Sequence, residues 1–151
     1  MIHLPQSKGW VLYAAIGCAA ASLLHIAAIF AGPSWFDFLG APPEYGQMMR
    51  DGNYVYPVIV TLLIAGTLAV WTAYALSALG PKKPLPYARL ICGAVAAIFL
   101  LRGVLGIPIT LYILTKTGPT AMTLFHIAAS VFVLTLGWGF VAAFRRLKAV
   151  K

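Results

Sequence analysis

The chain has 151 residues, 62% of them hydrophobic and only 9% charged, with a formal net charge of +8. A soluble domain carries roughly a quarter charged residues, so this balance excludes an ordinary water-soluble globule and points to an integral membrane protein. The positive charge is no nucleic-acid footprint, because the basic residues sit where apolar runs end and no base-reading or phosphate-loop motif accompanies them.

Four apolar segments follow one another, at 9–31, 55–79, 87–114 and 120–144. Each is near the ~20 residues that cross ~30 Å of hydrocarbon as a helix. In the first, Lys8 followed by an apolar run and Ala19-Ala20-Ala21 imitates a cleavable signal. The run continues to Ala31, too long for a signal core and right for a spanning helix. Cys18 and Cys92 both fall inside apolar runs, so they read as small hydrophobes rather than a disulfide framework.

The stretch 32–54 holds all three acidic residues of the chain, Asp37, Glu44 and Asp51, together with Trp35, Phe36, Phe38, Tyr45 and Tyr54. A merely solvated linker is not this aromatic. Two readings are open: a structured outer loop whose short interfacial helix around 44–51 forms a lid, or an aromatic belt lying in headgroups. The second connection, Gly80-Pro81-Lys82-Lys83-Pro84-Leu85-Pro86, is a tight, proline-stiffened turn.

The third segment carries Arg102 near its middle. Arginine cannot shed its proton to escape hydrocarbon, so Arg102 must find an anion, backbone carbonyls or water held inside protein. Gly103 and Gly106 thin the helix beside it, and Pro108 removes a backbone donor, which predicts a kink. The fourth segment carries His126 and ends in a basic tail from Arg145 to Lys151. Lipid-facing backbone must satisfy its own hydrogen bonds, and nothing here alternates like a barrel strand, so all four segments read as helices.

Lys8, Lys82, Lys83, Arg89 and the tail gather on one side, against only Arg50 and Lys116 on the other. By the positive-inside rule that side is cytoplasmic. The expectation is therefore a single-domain, antiparallel four-helix bundle of a bacterial inner membrane, with both termini in the cytoplasm. The basic tail fixes this topology and is also able to meet anionic lipid.

Layout adds a resemblance. A first helix followed by Phe36-Asp37-Phe38-Leu39-Gly40-Ala41-Pro42, then a second helix bearing Gly66 and a short turn into a third, resembles DoxX-like four-helix bacterial membrane proteins. Segment 55–79 has no carboxylate where that family's pattern places one, so the resemblance implies architecture only.

The ionisable residues inside the apolar segments form a candidate constellation. His25 and His126 each lie about six residues, or ~9 Å, inside the outer ends of their helices, whereas Arg102 is nominally ~18 Å deep. His25 shares a stripe with Ala14, Cys18 and Ser22, and His126 with Thr123, Ser130 and Gly137. Such small, weakly polar stripes mark helix–helix contact in membranes. The two histidine segments are loosely alike (Leu24-His25-Ile26-Ala27-Ala28, Phe125-His126-Ile127-Ala128-Ala129), a match too short to mark duplication. His3 precedes the first helix and reads as a solvated terminal residue.

Four readings of this group stay open. In a packing role, Arg102 pairs with Asp37 or Glu44 and the histidines satisfy backbone groups. In a binding role, Arg102, His25 and His126, with Asp37 and Glu44 in the loop, receive the head of a lipid, quinone or amphiphilic acid. In a redox role, the two histidines ligate haem b while Arg102 meets a propionate. In a metal role, His25, His126 and Asp37 or Glu44 join Met48 and Met49. No nucleophile–base spacing supports catalysis, so the working reading is non-enzymatic ligand handling. A homo-oligomer, or a partner membrane protein for which this chain is an accessory subunit, is the further alternative for the helix stripes.

Overall fold

A computed structural model describes residues 7–80 and 83–149, and these are all-helical. Six helices follow in order: α1 (Ser7–Ala31), α2 (Pro33–Leu39), α3 (Pro43–Arg50), α4 (Val55–Ser77), α5 (Ala88–Thr117) and α6 (Ala121–Ala149). Of these, α1, α4, α5 and α6 are long and apolar enough to cross a membrane. His3, Lys82 and Lys151 lie outside the described residues.

Helix α5 continues to Thr117 and α6 to Ala149, past the ends expected at 114 and 144. The reason is physical: falling hydropathy marks where hydrocarbon ends, while hydrogen bonding carries a helix on into the headgroups. Helix α5 also runs without a break through Pro108.

Stretch 32–54 forms two short helices where the sequence reading gave one. Each begins with a proline in its first turn, Pro33 and Pro43, where the missing N–H costs no helical bond. Between them Gly40 closes α2 in the left-handed region at φ 80°, its N–H donating to the carbonyl of Asp37. Phe36 and Met49, one from each short helix, bury themselves against Ala28 of α1. The pair forms a hairpin seated on the ends of the long helices.

Helix α1 lies between α4 and α6, while α5 packs chiefly on α6. These contacts use small residues, since lipid supplies no hydrophobic drive and close approach must replace it. A Cβ on Gly139 would lie 2.5 Å from the Trp10 carbonyl oxygen, and one on Gly17 would run into Leu136. Ser22 Oγ donates to the Ala65 carbonyl at 2.8 Å, tying α1 to α4. On the α5–α6 side, Gly137 faces Leu100, Gly103 faces Leu134, and Gly106 faces Ser130.

Helices α4 and α5 touch only lightly. Their contact lies toward the end away from the hairpin, where Trp71 meets Phe99 edge-on with ring centroids 5.2 Å apart. Next to it, Cys92 Sγ lies 3.9 Å from the Tyr74 carbonyl. Nearer the hairpin, Arg102, Leu105 and Ile109 of α5 are exposed. Light contact between the two helices, with this exposed part of α5 beyond it, argues for a cleft between them on the hairpin side.

Candidate functional site

Arg102 stands at the root of that cleft. It falls one turn beyond Phe99 and two beyond Val95, on the stripe that both of those residues bury. Where α4 has diverged the stripe is no longer covered, and Arg102 is exposed. Among the described residues no carboxylate pairs with its guanidinium.

Both histidines continue the buried stripes of their helices toward the same interior. His25 follows Val11, Cys18 and Ser22, and His126 lies on the stripe of Gly137 and Phe140. Contacts between α1 and α6 pair Ala14 with Gly139 and Gly17 with Leu136, so numbers rise on one helix as they fall on the other. Extending that register sets His25 within about two residues, or ~3 Å along the axis, of the His126 level. The Gly106–Ser130 contact sets Arg102 roughly eight residues, ~12 Å, deeper than His126.

The ring of His25 is anchored. Its Nδ1 lies 2.8 Å from the Ala21 carbonyl oxygen. A carbonyl only accepts, so Nδ1 carries the proton and, in the neutral ring, Nε2 keeps its lone pair. His126 is roofed by the hairpin. A Cβ on Gly40 would lie 2.5 Å from its Cε1 and 3.0 Å from its Nε2. Beside it Phe38 packs on Phe125 with centroids 4.7 Å apart.

The two loop acids stand apart from this group. Asp37 Oδ2 accepts from Arg50 Nη1 at 2.9 Å, a half-exposed pair within the hairpin. Glu44 is exposed on α3. Of the two acids that the packing reading offered Arg102, Asp37 is thus paired with Arg50, thirteen residues along the same loop, and among the described residues Glu44 forms no ion pair with Arg102. Gly46 makes room for that pair: any Cβ there would collide with the Asp37 carboxylate. Met49 is spent in packing under the hairpin, and among the described residues no group of three His, Cys, Asp or Glu side chains comes together to hold a metal ion.

Sequence reasoning gave Gly40 and Arg50 no part in the site, and gave Ser130 only a place on the His126 stripe. The proline–glycine–proline spacing of 33, 40 and 43 was the available signal for a helical hairpin. Ser130 Oγ donates to the His126 carbonyl at 2.8 Å and faces Gly106, which no spacing rule announces. Comparison with family models, curated proteins and solved structures finds no match for this chain.

Proposed function

We propose that this protein is an antiparallel four-helix bundle of a bacterial inner membrane, with both termini cytoplasmic, that binds an amphiphile with an anionic or strongly polar head in the outer half of the bilayer. The observation that carries this reading is Arg102: a permanent cation inside an apolar span, exposed, and with no carboxylate among the described residues to neutralise it. A planar fork of five donors is suited to bidentate binding of a carboxylate or phosphate. His25 and His126 add polar ring edges at a common level, and the α4–α5 cleft offers apolar walls and a lateral way in from lipid. The α2–α3 hairpin closes the top through Gly40 and Phe38.

The test is mass spectrometry of the amphiphiles that co-purify with the protein in mild detergent. Wild type should carry a stoichiometric acidic or quinone-type amphiphile, and Arg102→Leu should lose about tenfold of it while staying helical, the loss of one charge-assisted contact. Full retention by a folded Arg102→Leu protein rejects the reading.

A second reading, bis-histidine ligation of haem b, is favoured by one feature. The anchored Nδ1 of His25 leaves Nε2 as its ligating atom, at the depth of His126. A Soret band that disappears in both His25→Ala and His126→Ala would establish it over the amphiphile.

A further inference from the structure

Among the described residues, the end of the molecule opposite the hairpin carries exposed cations and no acidic side chain. Lys8, Lys83, Arg89 and Arg145 are exposed there. All three acidic residues of the chain belong to the hairpin or the turn after it, at the far end of the long helices. Among the described residues no carboxylate pairs with these cations.

One of them stands at a built site. A hollow of about 500 Å³ opens where α5 begins and α6 ends, lined by Leu85, Tyr87, Arg89, Leu90, Phe144 and Leu147. The Arg89 guanidinium carbon lies 4.7 Å from the centroid of the Phe144 ring. Stacking fixes the plane of the guanidinium while leaving its N–H edge available. Phe144 is itself held against α5, for a Cβ on Gly93 would come within 3.1 Å of it. Helix α5 starts here without a side-chain cap, so the positive end of its dipole adds to the same field.

The backbone at the rim is strained. Tyr87 has φ 55°, the left-handed region, and is the non-glycine residue with positive φ among those described. Its side chain is 79% exposed. A tyrosine held out at such cost is placed to meet something, and its amphipathic ring suits the headgroup level.

We propose that this hollow is a specific site for one anionic phospholipid, with the phosphate on Arg89, the headgroup beside Tyr87 and an acyl chain along Leu90, Phe144 and Leu147. Charge complementarity selects the occupant: the walls are apolar and the only polar function set against them is cationic or phenolic. The site is independent of the cleft at Arg102, and each stands if the other fails.

The experiment is native mass spectrometry of the delipidated full chain, titrated with phosphatidylglycerol, phosphatidylcholine or inorganic phosphate. One phosphatidylglycerol should be retained per chain, about tenfold more tightly than phosphatidylcholine, with millimolar phosphate unable to displace it. Arg89→Gln should weaken retention about tenfold and Lys8→Gln less than about threefold, separating a site from a diffuse field. Leu90→Trp, at an exposed position where folding is tolerant, should weaken it as Arg89→Gln does by filling the hollow. Equal binding of the two lipids, equal effects of Arg89→Gln and Lys8→Gln, or displacement by free phosphate each overturns the proposal. Should Arg89→Gln not fold, Leu90→Trp decides alone, and unchanged retention in that variant rejects the site.

Discussion

The left-handed turn at Gly40 rests on the imidazole of His126, so that the hairpin and the fourth long helix meet at one glycine and one ring. A side chain at Gly40 therefore carries two separate penalties. The first is backbone, roughly 1–2 kcal/mol for a non-glycine residue in the left-handed region. The second is steric, because the ring must move. Gly52 supplies the control: it has φ 82° and nothing within 4 Å of its would-be Cβ. Gly40→Ala should release the hairpin, read as faster amide exchange across α2 and α3, by clearly more than Gly52→Ala. Equal effects of the two substitutions would show that the ring contact contributes nothing.

Close approach of α5 and α6 makes a second contrast. At Gly103 a Cβ would collide with Leu134 and lie 3.0 Å from the Ser130 carbonyl oxygen, which is backbone and cannot swing away. At Gly66 nothing lies within 4 Å. Gly103→Leu should destabilise the protein by about 3 kcal/mol or more, as overpacking does, and Gly66→Leu should be close to neutral. Thermal unfolding in detergent measures both.

How much of this was open to inspection in the sequence depends on what each feature needs. The four long helices required only composition, since an apolar run of the right length has one solution in hydrocarbon. Arg102 stood out for the same reason. The cleft beside it did not, because α4 and α5 are hydrophobic all round and a uniform surface gives no sign of which neighbour a helix will choose. The levels of His25 and His126 were approachable by counting from helix ends, but the roof over His126 depended on Gly40 and on a hairpin of two helices. Asp37 pairs with Arg50 of the same hairpin, a partner that the spacing of the two residues in the sequence does not single out.

Tyr45, on α3 and outside the spanning helices, links the hairpin to α4. Its ring meets Tyr56 at right angles with centroids 5.5 Å apart. The neighbouring Tyr56 phenol raises the Tyr45 phenol above its usual value near 10, and burial and the charge of Glu44 push the same way. A raised acid favours the protonated form in the folded state, so the folded protein holds more protons than the unfolded one across the interval. The contribution is fully present below pH ~10 and is lost as pH climbs through the folded value. Accessibility of the hairpin to protease should therefore rise in that alkaline range. In Tyr45→Phe the step should be absent. Persistence of the same step in Tyr45→Phe would assign it to another phenol.

Arg102 itself separates stability from binding. An arginine at the middle of a spanning helix costs about 3 kcal/mol on insertion scales, and here no carboxylate among the described residues offsets it. Arg102→Leu should thus raise the unfolding temperature of the delipidated protein in detergent. Ligand reverses the order. An anionic amphiphile that binds only the folded state stabilises it by about 2.7 kcal/mol at a concentration of a hundred times its Kd. Added in that excess, it should lift the wild-type unfolding temperature and leave the leucine variant where it was. The crossing of the two melting curves, rather than either temperature alone, is the signature of a charge retained for an occupant. Were the variant less stable than wild type without ligand, Arg102 would be meeting a group of the protein itself, and the cleft would have no vacant cation to offer.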